Sequence, residues 1–273
     1  QDQWVSSFLD HEPEKRKEAA INIVRTFGYK VDSLDINTSN KRWEIVDNKL
    51  VPPLTTIKGL GEAAIDEIMY KRPFSSVEDL LFDKGVVARK VNKKSLDAMC
   101  RAGAMESLMD ERFFGSKHFW SAVVVDKPKN KKKLGENIEK YKDEGNFSKG
   151  EQINHLQALT GIYPINMVVP VKAYKFFEMQ GIMPLSEYDR ELGKGWCIPT
   201  EVNLKKTKTG KPYYQVTVID SSMETQRINC WGVDPKRDFI YPHKLYVLEW
   251  PQYNETWGFS TRGGLSRNWK LLG

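Results

Sequence analysis

Ile57-Lys58-Gly59-Leu60-Gly61 sets one apolar residue between two glycines, directly ahead of the helical run "EAAIDEIMYKR". Glycine weakens helix interiors, so two of them at a helix start ask for a steric or ligand-related reason. Phosphate binding supplies one. The first amides of a helix have no partner within it and lie at its positive end. Gly59 and Gly61 would free the backbone φ for a tight turn, and a side chain at Gly61 would block a phosphate's approach. Lys58 adds a salt-sensitive contact. The candidate set is Lys58, Gly59, Leu60 and Gly61, with the amides of Glu62 and Ala63. The same five residues also read as a plain tight turn with Leu60 plugging a core.

Helical segments surround this turn. Ala64, Ile65, Ile68 and Met69 share a face until Pro73 ends the run. "SSVEDLLF" reads as a capping box, Ser75 reaching toward Glu78. "VNKKSLDAMCRAGAMESL" takes Asn92 as N-cap, Leu96 and Met99 as inward residues and Gly103 as its stop. "KVNKKSLDAMCRAGAM" is thus a second hairpin-like unit, with Lys90, Lys93 and Lys94 at its turn. Paired units of this helix-hairpin-helix kind contact consecutive phosphates and read no bases. Upstream, "PEKRKEAAINIVRTFG" (13–28) is an amphipathic helix with Ala20, Ile23, Val24 and Phe27 on one face and Gly28 as its stop. "KRWEIVDNKLVPPL" is a hairpin turning at Asp47-Asn48.

The chain has 273 residues, and 42 Lys and Arg against 36 Asp and Glu give a net charge of +6. That excess permits an anionic partner without requiring one. Cys100, Cys197 and Cys230 are far apart, and the four histidines are scattered, so no metal-ligand spacing occurs and a reduced, intracellular protein without structural zinc is expected. No apolar run approaches a membrane span. The start at Gln1, in mid-pattern, reads as part of something longer. Residues 126–150 are lysine-rich and poor in apolar residues, which reads as a solvated linker.

From Trp196 the period drops to two. "WCIPTEVNL", "KPYYQVTVID", "TQRINCW", "LYVLEW" and "TWGFSTRG" give five strands, with room for one turn of helix between the third and fourth, suiting a small closed barrel. Tyr214, Val216 and Val218 face its core; Tyr213, Gln215 and Thr217 face outward. Tyr213 with Trp231 forms a candidate stacking platform, and Lys205, Lys206, Lys208 and Lys211 candidate phosphate contacts. Packing of either aromatic into the barrel is the other reading.

"SLDINTSN", "TTIKGLGEAAIDEIMYKRPFSSVEDLL" and "RKVNKKSLDAMCRAGAMESL" together resemble the bacterial replicative DNA polymerase III alpha subunit, the family C polymerases. "LTGIYPIN" is similar to the segment before that family's OB barrel, and "EVNLKKTKTGKPYYQVTVID" to the barrel's first hairpin. The resemblance implies an α+β chain with a helical N-terminal half and a C-terminal five-stranded OB-fold β-barrel. It implies the end of a fingers region at 1–53, a tandem helix-hairpin-helix element gripping duplex at 54–110, a connecting region with a lysine-rich linker at 111–195, and an OB barrel near single-stranded template at 196–273. The implied partners are primer-template duplex, single-stranded template and an N-terminal polymerase portion on the same or a separate chain, in the cytoplasm of a bacterial or virus-infected bacterial cell. For the family's sliding-clamp motif only "QINHL" (152–156) is on offer, a poor match. A standalone accessory DNA-binding protein with the same two modules is the alternative. A ligase reading fails because "KVDS" (30–33) puts Ser33 where Lys-x-Asp-Gly needs glycine.

Nucleotidyl transfer needs two metal ions held by carboxylates, and no Asp-x-Asp occurs here. Glu187, Asp189 and Glu191 form the nearest acidic cluster, with little apolar support, and read as surface. No catalytic or metal residue is therefore assigned to this chain, and magnesium is expected in a palm region outside it. On primed template with all four nucleotides and magnesium, the purified 273-residue chain should incorporate nothing. Magnesium-dependent incorporation in that primer-extension assay would overturn the assignment.

Overall fold

The computed structural model describes residues 2–272 apart from 14, 15, 18, 19, 22, 25 and 26. The chain is mixed α/β, with helices through its N-terminal half and a curled sheet at its C-terminal end. It divides into two compact units, Gln1–Tyr163 and Pro164–Gly273, a boundary that falls inside "LTGIYPIN". Among the described residues no helix is long and apolar enough to cross a membrane.

The first unit opens with α1 (Asp2–His11). Of the helix expected over 13–28, residues 16, 17, 20, 21, 23 and 24 are helical, and 14, 15, 18, 19, 22, 25 and 26 lie outside the described residues. Its inward side differs from the expected one. Ala20, Ile21 and Val24 pack with Val5 and Leu9, while Ile23 and Phe27 are 49% and 55% exposed. Periodicity gives an apolar stripe, but the neighbour along Val5 and Leu9 selects which part of it is covered. A three-stranded sheet follows, β1 (Lys30–Val31), β2 (Glu44–Val46) and β3 (Lys49–Val51), in the order β1-β3-β2. Asp47 and Asn48, at φ 50° and 60°, make the expected turn between β2 and β3, a left-handed pair that suits this two-residue loop.

Next come α2 (Glu62–Lys71) and, past a π-helical turn at Asp79–Asp83, α3 (Lys93–Arg101). Ala64, Ile65 and Ile68 of α2 are buried and Met69 is partly so, as their spacing implies. The Asn92 side chain accepts from the Ser95 amide at 3.1 Å, Leu96 and Met99 are buried, and Gly103 takes φ +79°. The cap before the π-helical turn lies one residue later than expected. Ser76 Oγ accepts from the Asp79 amide, and the Asp79 carboxylate accepts from Ser75. Glu78 is instead drawn off by Arg112, at 2.8 Å.

"SLDINTSN" is a structural brace. Asn37 Nδ2 donates to the Phe74 carbonyl at 2.8 Å, and the Phe74 amide donates back to Asn37 Oδ1 at 2.7 Å. Ile36 is fully buried and its amide donates to the Ala104 carbonyl at 2.7 Å. Arg72 donates to the Ser39 carbonyl at 2.8 Å. One loop thus holds the ends of both helical hairpins.

After α4 (Ser116–Trp120) the lysine-rich stretch departs from a solvated linker. It contains α5 (Lys131–Lys140), capped by Asn130 and anchored by Leu134 and Asn137, both fully buried. Asn137 Nδ2 donates to the Ala122 carbonyl at 3.0 Å. Two anchors suffice because the lysines occupy the remaining, solvated sides of the helix. α6 (Lys149–Thr160) then begins with a reciprocal capping box between Ser148 and Glu151.

In the second unit, α7 (Val171–Gln180) lays Phe177 on the buried Trp196, rings 5.3 Å apart and 12° from parallel. The strands are β4 (Met183–Pro184), β5 (Lys194–Lys206), β6 (Pro212–Ile219), β7 (Gln226–Trp231), β8 (Leu245–Glu249), β9 (Gln252–Asn254), β10 (Gly258–Arg262) and β11 (Trp269–Leu272). All five expected strands are present, but the sheet has eight, in the order β11-β8-β5-β6-β7-β10-β9 with β4 beside β5. No pairing among the described residues joins β9 to β11, so the curled sheet stays open. The added strands are short and carry little alternation of their own; their neighbours pair them. Between β7 and β8 a single α-turn at Asp234–Asp238 stands where a turn of helix is expected.

Candidate nucleic-acid interface

The Gly59-Leu60-Gly61 turn is tight, with Leu60 as its plug. Leu60 is buried in the core of the first unit, with Ile57, Ile65 and Leu96. Its amide donates back to the Ile57 carbonyl at 3.1 Å, closing the turn. Gly59 stands at φ +91°, which side chains rarely adopt, and a Cβ there would sit 3.5 Å from Lys94 Cε. The expectation for Gly61 needs correction. It stands at φ −74°, as N-cap of α2, and a Cβ would meet nothing within 4 Å. Only Gly59 uses glycine's conformational freedom; Gly61 leaves open space in front of the helix.

Into that space point the first amides of α2. The Ala64 and Ile65 amides donate to the Gly61 carbonyl, at 3.0 and 3.1 Å. Among the described residues the Glu62 and Ala63 amides have no acceptor. The Glu62 carboxylate, 83% exposed, is drawn to Lys41 at 3.4 Å. Lys58 is exposed, and its amide donates to the Leu159 carbonyl at 2.7 Å, pinning the turn to α6.

The lysines of the second hairpin separate into three environments. Lys94 is exposed and lies against Gly59, so the start of α3 meets the first turn. Lys93 Nζ donates to the Val125 carbonyl at 2.8 Å. Lys90 Nζ meets the Glu67 carboxylate at 2.8 Å. The Glu67 side chain is only 5% exposed, and its other oxygen accepts from the Val87 amide at 3.1 Å. Lys90's hydrogen bond first, and Val87's second, hold this carboxyl below the usual glutamate range. Lys41, which bridges Glu62 and Asp66, belongs to the same surface and was not singled out from sequence.

In the second unit Tyr214, Val216 and Val218 are buried, and Tyr213, Gln215 and Thr217 lie on the outer face, as alternation implies. Tyr213 and Trp231 are cross-strand partners, half-buried and stacked on each other, with centroids 4.4 Å apart and planes at 27°. The row continues on both sides, Lys205 opposite Tyr213 and Arg262 opposite Trp231. Lys205 Nζ donates to Gln215 Oε1 at 2.7 Å. Lys206 lies opposite Pro212, on the other face, and Lys208 and Lys211 are exposed at the hairpin end. Strand alternation places Arg262 on one face of its strand, but only the register puts it beside Trp231. Glu187, Asp189 and Glu191 are exposed.

Within the first unit, the family described as helix-hairpin-helix motif matches residues 28–113. The chain is also similar to DNA polymerase III subunit alpha of Thermotoga maritima, 27% identical over 163 residues, 60% of this chain and 18% of that one. The same subunit of Borreliella burgdorferi is 32% identical over 136 residues, 47% of this chain and 11% of its own length. That of Pseudomonas fluorescens is 34% identical over 90 residues, 32% of this chain and 8% of its own. Over these stretches the chain is a relative of the DNA polymerase III alpha subunits, and it spans less than a fifth of their length.

The Glu67 clasp has a pH signature. A carboxyl held below its ordinary value of about 4.3 stabilises the fold above that value, and the contribution fades as pH falls through the lowered folded value. Glu67→Gln should lower the melting temperature near neutral pH, and the gap from the parent should narrow in acid. Equal melting temperatures near neutral pH would show that the clasp does not hold the hairpins together.

Proposed function

We propose that this chain is a DNA-binding portion of a replicative DNA polymerase related to the polymerase III alpha subunits. The observation that carries the reading is the first turn. Gly59 lets the backbone double back, Gly61 leaves the approach open, and the unpartnered Glu62 and Ala63 amides face it at the positive end of α2. Lys58 and Lys94 add cationic charge beside them. Such a site takes a backbone phosphate of duplex DNA without reading its sequence.

The second unit supports a single-strand role. β8-β5-β6-β7-β10, with β7 and β10 parallel, follows the strand order of an OB fold, to which the outer strands are additions. Tyr213 and Trp231 offer flat apolar rings on its outer face, with Lys205 and Arg262 at the row's ends for phosphates. Primer-template duplex and single-stranded template are the partners this reading assigns. Magnesium and its carboxylates we assign to an N-terminal polymerase portion, on the same or a separate chain, in the same cytoplasm.

Gly61→Val should weaken duplex binding while the melting temperature holds, since its Cβ meets nothing in the free protein and would meet the phosphate. Lys58→Ala should lower the magnitude of the salt slope by about one unit. Parent-like duplex binding by both variants across a salt titration would reduce the turn to a structural feature.

Tyr213→Ala should cost about 1–3 kcal/mol in single-strand binding and leave duplex binding unchanged. Equal losses on both substrates, or a large drop in melting temperature, would instead assign Tyr213 to the packing of its unit.

A further inference from the structure

Trp250 departs from the backbone conformation its position favours. It follows β8 and precedes Pro251, and its φ is +53°. A bulky residue in that left-handed region is an outlier, and a residue before proline favours extended backbone. The chain holds it there from both sides. Its amide donates to the Gly193 carbonyl at 2.7 Å, one step beyond the Lys194–Glu249 pair that starts the β5–β8 ladder. The Glu249 carbonyl before it accepts from Asn268 Nδ2 at 2.8 Å, and Pro251 after it is buried.

Gly193 receives the indole. It stands at φ +66°, and a Cβ there would come 2.4 Å from Cζ3 and 2.5 Å from Cε3 and Cη2 of Trp250. Nearly equal distances to three neighbouring ring carbons put Gly193 over the ring's face and not at its edge. Trp250 is nevertheless 62% exposed, so the opposite face is open. Burial does not compensate for its backbone, because most of the residue stays in water. Strain kept around an exposed group points to a use for that group.

Register tells where the ring stands. β9 and β10 run antiparallel with Gln252 opposite Ser260, so the chain leading back from Gln252 to Trp250 runs toward the end of β10 that carries Arg262. Arg262 is opposite Trp231, and Trp231 is opposite Tyr213. We propose that Trp250 is a further stacking site for single-stranded DNA, taking a base that lies past Arg262 from the Tyr213–Trp231 pair. One face of the indole rests on Gly193 and the other receives the base. Stacking of this kind accepts any base, so no sequence preference is expected. The proposal rests on the single-strand reading of the second unit and adds a contact outside the Tyr213–Trp231 pair.

The test is a binding titration of the 273-residue chain with oligo-dT of about twelve nucleotides, within the range one OB fold covers, and with an abasic oligomer of equal length. Glycine adopts the left-handed backbone without strain, so Trp250→Gly should keep the parent's melting temperature. It should bind oligo-dT about five- to a hundredfold more weakly, the worth of one stacked base, and the abasic oligomer as the parent does. Trp250→Phe should keep part of the oligo-dT affinity. Equal losses on the two oligomers, with or without a drop in melting temperature, would make the indole a cover for Gly193 and overturn the proposal. Parent-like oligo-dT binding by Trp250→Gly, with Tyr213→Ala weakened, would overturn this site alone and leave the open ring to a protein partner. Parent-like binding by both variants would overturn the single-strand reading and this site with it.

Discussion

A buried carboxylate between two hairpins constrains the first unit. Glu67 projects from α2 into the interior, where it takes the Val87 amide with one oxygen and the Lys90 ammonium with the other. A carboxylate removed from water needs such partners, and neither works at another spacing of the two helices. Val87 and Lys90 belong to the turn that leads into α3, so satisfying Glu67 also sets where α3 begins. The start of α3 in turn brings Lys94 against Gly59. Charge satisfaction in the interior thus fixes the spacing of groups on the surface.

The Asn37 brace works on the opposite ends of the same helices. Its amide side chain completes both backbone groups of Phe74, where the chain would otherwise leave polar atoms unpaired next to the core. Ile36 alongside ties the loop to Ala104 at the close of the second hairpin. The motif read from sequence as a family signature is thus also a packing device.

In the second unit register has the corresponding role. A shift of one residue between β6 and β7 would move Trp231 from the outer face to the inner one and separate it from Tyr213. The inner face prevents this by burying Tyr214, Val216, Ile228 and Cys230 together.

The sequence by itself determined the elements that depend on local period and capping. The α2 stripe, the Asn92 cap, the Asp47-Asn48 turn and five strands of the curled sheet were legible because each is written in residues a few positions apart. So was the pairing of Leu60 with glycines in a tight turn. Tertiary structure decided what depends on residues far apart in the chain. It chose the buried side of the helix after α1, docked α5 through Leu134 and Asn137, and added short strands whose pairing comes from their neighbours. It also showed that Gly59, and not Gly61, needs glycine's φ, and it placed Arg262 beside Trp231. The physical reason is common to these cases: a side chain's face follows from local period, whereas its partner is set by register and packing between distant segments.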